Sequence, residues 1–333
     1  MTVLHPRRVR YATEPMFLEW LLTHCTKPFL PFVLIMAFAL AASGFAQVRG
    51  AYSPGSTLTG GGTVPDPGFS YSNQFWLNSS SELKGPQGTS IPIKASVTIV
   101  YDNNTIVYVP KFKFLRANLE FMIDIAVANG RFAARDPFSA GPGVSASGAG
   151  ITNTNFVPLA LGWHLKWADL QTGYSVYAPT GRFVPDALNN VSSGLWTNSW
   201  QTGATLYLTE SKNTQISLFN VYAWNTTQQA TGVHPGQNES LDYSVSQTFF
   251  LSKDHKWSLQ VGAAGYGQWQ TTNNGGQNPI REGLRYGVNA GGLTINLSAP
   301  FQGLYVESSV LWEYGAKNTY QGRTMTVTAG FNF

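Results

Sequence analysis

The sequence predicts an all-β chain, a transmembrane antiparallel β-barrel of about twelve strands of the bacterial outer-membrane type. Three observations carry this. Apolar and non-apolar residues alternate with period two in segment after segment, as strands with two unlike faces require. The non-apolar faces hold Thr, Ser, Gly, Gln and Tyr rather than the Lys and Glu of a solvated sheet. Charged residues make up only 11% and aromatics 14% of the 333 residues, against about 25% charged in ordinary soluble domains. A slightly negative mean hydropathy excludes a bundle of membrane helices.

The N-terminus reads as an export signal over residues 1–46. Arg7, Arg8, Arg10 and Lys27 precede the apolar run Phe29–Ala42, and small residues at Gly44 and Ala46 suit cleavage before Gln47. Met16 is an alternative start that keeps Lys27. The run is short for a spanning helix. Its removal takes four of the basic residues and Cys25, the single cysteine. The mature chain then has no thiol and no strong net charge, so no nucleic-acid partner is expected. Residues 47–68, with "GAYSPGSTLTGGGTVPDPG", read as a flexible Gly/Pro-rich tail, and no plug domain is visible ahead of the first strand. Residues 69–333 form the barrel.

Both 69–78 and 91–101 suit a first spanning strand. Even strand numbers favour 69–78, with 91–103 extending outside the barrel. In 119–127 the odd positions Leu119, Phe121, Ile123, Ile125 and Val127 are apolar. In "FVPLALGWHLKW" (156–167) the odd positions Val157, Leu159, Leu161, Trp163, Leu165 and Trp167 are apolar and should meet lipid. Leu241, Tyr243, Val245, Phe249 and Leu251 continue the pattern, as do Trp257, Leu259, Val261, Ala263 and Trp269. At about 3.3 Å per residue and ~40° tilt, Trp257 and Trp269 are separated by roughly 30 Å along the membrane normal, the spacing of two aromatic belts. In 286–295 the apolar parity slips, so Gly291–Gly292 should mark a bulge. The last strand presents Met325, Val327, Ala329, Phe331 and Phe333.

Short turns are expected near 116–117, 168–169, 210–213, 253–256 and 299–302. Longer connections are expected near 129–155, 180–199, 225–239, 270–283 and 313–322. With Phe333 in the periplasm, the short turns lie there and the long loops face outside. Phe333 is also the expected contact for the barrel assembly machinery.

The chain carries no zinc-protease, nucleotide-loop or nucleophile-elbow motif; "GYSVY" (173–177) lacks the final Gly of the last. No catalytic residue, cofactor or metal is expected. A lipid-modifying barrel enzyme would need a Ser–His pair on the outer wall, and His164 falls on the lumen face, with His234 and His255 in connections. Parity places Lys111, Lys113, His164, Lys166 and Arg285 inside, together with Glu120, Asp124, Asp242, Glu307 and Glu313. These charges nearly cancel and should pair across the barrel. Trp76, Tyr177, Phe250, Tyr266, Tyr305 and Leu311 complete the expected lumen wall.

"YSVYAPTGRF" (174–183) and "HPGQNESLDYSVSQTFFLSKDHKWSLQVGAAGYGQWQT" (234–271), with the terminal "FNF", resemble the outer-membrane transporter family named for meta-pathway phenol degradation. Arg182-Phe183 stands where that family would have Gly-Asp or Asp-Tyr. The resemblance implies a barrel that admits aromatic or other hydrophobic compounds. The leading expectation is therefore passive uptake of small hydrophobic or aromatic solutes through a barrel in contact with membrane lipid. The alternatives are an occluded barrel whose external loops carry the function, and a lipid-modifying enzyme.

Overall fold

A computed structural model describes residues 49–333, apart from 136, 138–142, 186, 255, 278–282 and 300–302. The expected signal segment 1–46 lies outside the described residues. Twelve antiparallel strands close a barrel. They are β1 (Gly68–Leu83), β2 (Lys94–Val109), β3 (Ala117–Arg135), β4 (Thr154–His164), β5 (Ala168–Ala178) and β6 (Thr197–Tyr207), followed by β7 (Thr214–Asn225), β8 (Asn238–Phe250), β9 (Ser258–Gln270), β10 (Gly287–Ser298), β11 (Tyr305–Lys317) and β12 (Tyr320–Asn332). Each pairs with its chain neighbours, and β1 pairs with β12 to complete the ring. Closure leaves the twelve-strand ring without a free edge, so its backbone polar groups pair within the wall.

The seam is tied at its lower end by reciprocal backbone bonds between Phe69 and Phe333 (3.2 and 2.9 Å). Their rings stack at 6.1 Å, and Tyr108 lies 4.7 Å from Phe69. This end also carries the short turns around 165–167, 208–213, 251–257 and 299–304. The longer connections 84–93, 136–153, 179–196, 226–237 and 271–286 all lie at the opposite, upper end. The expected long connection at 313–322 does not exist. β11 and β12 run on through it and are joined only by Asn318 and Thr319, with Asn318 at φ 53°.

The first strand is 69–78 extended at both ends, as expected. Residues 94–101 are not a separate loop but the upper part of β2. They pair with 128–135 of β3, and 127–134 also pairs with Val144–Ile151, so this side of the wall rises above the rest.

The outward face is apolar and exposed along strand after strand: Phe75, Ile106, Phe121, Ile125, Leu159, Val245, Leu293, Ile295 and Val327. An exposed apolar band of this extent around a closed barrel is suited to hydrocarbon rather than water. Two parity expectations fail for instructive reasons. Val157 is 1% exposed and faces inward, because the ladders of β4 with both neighbours slip around Pro158. Proline lacks the N–H a ladder needs, and a bulge absorbs it. From Leu159 onward the expected outward face holds. At Gly291–Gly292 the β9–β10 register is unbroken, and the slip with β11 lies between Gly287 and Asn289. Val288 and Tyr286 are apolar on the inner face because something other than water covers them.

Candidate lumen site

That cover is the segment 49–67. It does not hang as a flexible tail. It enters β1 from the lower end and runs up through the lumen to Arg49, beside Glu313 and Thr319 near the upper rim. The barrel is therefore plugged by its own N-terminal segment, against the expectation that no plug precedes the first strand.

Four inward carboxylates hold it in sequence. Thr63 Oγ1 donates to Asp169 (3.1 Å). Thr59 Oγ1 donates to Glu307 (2.5 Å). Asp242 accepts from Tyr52 Oη (2.7 Å), Gly55 N (2.8 Å) and Thr57 N (3.0 Å). Glu313 forms an ion pair with Arg49 and accepts from Tyr266 Oη (2.6 Å), Asn78 (3.0 Å) and Gly322 N (2.7 Å). The plug's carbonyls are met in turn: Gln268 donates to Tyr52 (3.0 Å), Trp76 to Pro54 (3.1 Å), Gln74 to Ser56 (3.1 Å), Ser244 to Leu58 (2.6 Å) and Gln171 to Gly61 (2.6 Å). An irregular strand buried away from water needs this accounting, because its backbone has no ladder of its own. Leu58 is buried against Ala264, Tyr266, Val288, Ala290 and Leu311, which explains the apolar inner face of β10.

The glycines of "TGGGT" serve approach rather than flexibility. A Cβ on Gly61 would stand 2.6 Å from the Leu218 carbonyl oxygen, and one on Gly62 would stand 2.1 Å from that of Asp169. The wall reciprocates: a Cβ on Gly203 would meet the Gly61 carbonyl oxygen at 1.7 Å. Only hydrogen at these positions lets plug and wall backbones touch.

The plug is bonded to strands from β5 through β9, to β11 and to β1. Beside it a cavity of about 540 Å³ stays open, its wall including Glu120, Met122 and Asp124 of β3 and Asn155 of β4 as well as side chains of β1, β2 and β11. Above it, the loops 179–196 and 226–237 are joined by Gln228 to Ser193 (2.8 Å) and Gln229 N to Gly194 (2.8 Å), with Leu195 buried below them.

The expected lumen residues divide. Glu120, Asp124, Asp242, Tyr266, Tyr305, Glu307 and Glu313 face inward, as do Trp76, Tyr177 and Leu311. Lys111 and Lys113 do not. They are exposed in the lower turn between β2 and β3, and Lys166 is exposed in the β4–β5 turn over Trp167 (5.2 Å). Arg285 is exposed in the upper loop before β10 and donates to Asn273 (2.8 Å). Phe250 ends β8 at the lower rim, 43% exposed. His164 sits at the same rim, 3.2 Å from Asp169. Beyond the strand ends, parity no longer assigns a side. The lumen is consequently acidic rather than balanced. Asp169, Asp242, Glu307 and Glu313 are answered by the plug, not by lysines across the barrel. Sequence reasoning missed the plug, and its only signal was the pairing of Gly-Gly-Gly with Ser, Thr and Tyr hydroxyls ahead of an acidic lumen.

Among the described residues no serine hydroxyl hydrogen-bonds a histidine ring, His234 instead lying 3.4 Å from Thr227 in an upper loop. No group of His, Cys, Asp and Glu among them is placed to hold a metal ion.

An apolar outward band, a closed wall of antiparallel strands and a hydrogen-bonded internal plug define a β-barrel of the outer-membrane type. The family model for the MetA-pathway of phenol degradation matches residues 80–329, and the chain belongs to that family. Its fold is similar to that of the COG4313 outer membrane channel from Pseudomonas putida F1, with 13% identity, 85% of this chain and 100% of that chain covered, and a TM-score of 0.66. The β domain of the Bordetella autotransporter BrkA shares 10% identity over 80% of this chain and 100% of its own, with a TM-score of 0.46. The translocator domain of NalP from Neisseria meningitidis shares 9% over 83% and 92%, also at 0.46. No curated protein matches the sequence.

Proposed function

We propose that the protein is a bacterial outer-membrane channel for passive uptake of small hydrophobic or aromatic solutes, with residues 49–67 as a removable constriction. The upper end then faces outside and the lower end the periplasm. The observation that carries the reading is the cavity beside the plug. It runs under the upper loops and is walled by both apolar and hydrogen-bonding side chains, among them Trp76, Tyr101, Tyr177 and Gln171. Such a wall suits weakly polar solutes with an apolar body. Family membership and the likeness to a channel fold support it. No enzymatic chemistry is proposed.

The test is planar-bilayer conductance of the refolded mature chain and of a variant lacking 49–63, each with and without phenol, benzoate or toluene. The expected result is small, solute-sensitive conductance in the full chain and larger steady conductance in the deletion. An occluded barrel acting through its loops is favoured by the density of plug contacts. It predicts silence from the full chain and no solute uptake by vesicles carrying either form.

Phe333 is proposed to engage the assembly machinery. The residue is 63% exposed at the seam, while its backbone already closes β12 on β1. Removing it should slow assembly in cells and leave refolding into detergent nearly unchanged.

A further inference from the structure

We propose that Glu120, Asp124 and Asn155 form a binding site for a small organic cation with an apolar body, such as an arylalkylammonium ion. This deepens the channel reading and rests on it for access to the site. Among the described residues the lumen carries six inward carboxylates, and the plug supplies a donor to four of them: Asp169, Asp242, Glu307 and Glu313. Glu120 and Asp124 receive no bond from the plug, and both line the cavity.

Glu120 is 7% exposed and has no hydrogen-bond partner among the described residues. Asp124 receives one bond, from Thr105 Oγ1 at 3.2 Å. Asn155, also 7% exposed, has its Oδ1 buried without a partner. Strand register sets Thr105, Asp124, Asn155 and Tyr177 in one inward row across β2 to β5. Below that row, Val107, Met122 and Val157 form an apolar row, and Glu120 follows beneath it. Two carboxylates four residues apart on a strand are separated by about 13 Å, with an apolar shelf between them. Buried acceptors without donors are costly unless something supplies one. Among the described residues Arg49 is the cation of the upper lumen, and it is committed to Glu313. An ammonium at either carboxylate, with its apolar body on the shelf between them, meets a buried acceptor and an apolar row at once, whereas an anion meets only acceptors.

The experiment measures binding of benzylammonium, benzyl alcohol and benzoate to the folded full mature chain in detergent, by calorimetry at mildly alkaline pH. Vesicle uptake of the same solutes is measured in parallel. Benzylammonium is expected to bind on the order of tenfold tighter than benzyl alcohol, as a charge-assisted bond to a carboxylate allows, and benzoate weakest. The E120Q/D124N double variant, checked for heat-modifiable gel mobility, should lose that preference. Should it fail to fold, E120Q and D124N are read singly, each with a partial loss. Equal affinity for benzylammonium and benzyl alcohol in the wild type overturns the site, as does an unchanged preference in the folded variants. Preference without uptake keeps the site and sinks the channel reading. Uptake of all three solutes without preference keeps the channel and sinks the site.

Discussion

Asp242 accepts three hydrogen bonds from the plug, and its removal tests whether the plug is a separable element. The side chain is fully buried and accepts three bonds from one short stretch, Tyr52 Oη, Gly55 N and Thr57 N. In Asp242→Ala those donors lose their acceptor. Each buried unsatisfied group costs about 1–3 kcal/mol. Water entering from the adjacent cavity recovers part of this, so the plug should be weakened by about 3–5 kcal/mol. At 1.4 kcal/mol per factor of ten, its released population should rise by roughly two to three and a half orders of magnitude. Asp242→Asn keeps one oxygen acceptor but aims an amide N–H₂ at the same donors, and should fall between. The wall itself loses no ladder bond. The assay combines conductance with thiol labelling of Ser53→Cys, introduced into a mature chain that has no other cysteine. The expected result is more frequent or longer openings and faster labelling, with unchanged heat-modifiable mobility. Wild-type conductance and labelling rate in a folded Asp242→Ala protein would refute the reasoning.

Gly203→Val places a side chain where the Gly61 carbonyl sits, and should expel the middle of the plug from a folded barrel, read by the same labelling assay. Arg49→Ala leaves Glu313 with three neutral donors in place of a cation. The buried pair's loss should cost about 3–5 kcal/mol and release the upper plug, seen as flicker between conductance levels while the lower half stays bound. Leu293→Lys, at a position 66% exposed on the outward face of β10, should destabilise the protein in lipid vesicles by about 2–4 kcal/mol. Little change in urea unfolding there would contradict a lipid-facing wall.

The outward wall is legible in the sequence because lipid imposes one rule on every strand. Val245, Val261, Leu293 and Val327, on four different strands, all meet the same demand for an apolar side chain at alternate positions. The lumen obeys no such rule. Val288 and Leu311 point inward and are apolar because Leu58 packs on them, so parity there misreads a covered inner face as a bulge. The plug has no period to read, since its residues are placed by individual bonds to side chains scattered over several strands. Lys111, Lys113 and Lys166 show the other limit: alternation assigns a side only while the chain is a strand. Pro158 marks the local exception within a strand, where the missing N–H shifts Val157 to the inside.

The plug is anchored to β1 at the lower end, and its described upper end carries Arg49. Withdrawal toward the tether would therefore drag a guanidinium down most of the length of the barrel. Such a movement is a gating charge. In a planar bilayer it couples opening to the applied field, at about 2.3 kcal/mol per elementary charge for each 100 mV. A barrel with no voltage-sensing helix would then rectify: voltage negative on the periplasmic side would favour the open state, and the opposite polarity would hold the segment seated. Arg49→Gln would flatten that asymmetry while leaving the dimensions of the fully open pore unchanged.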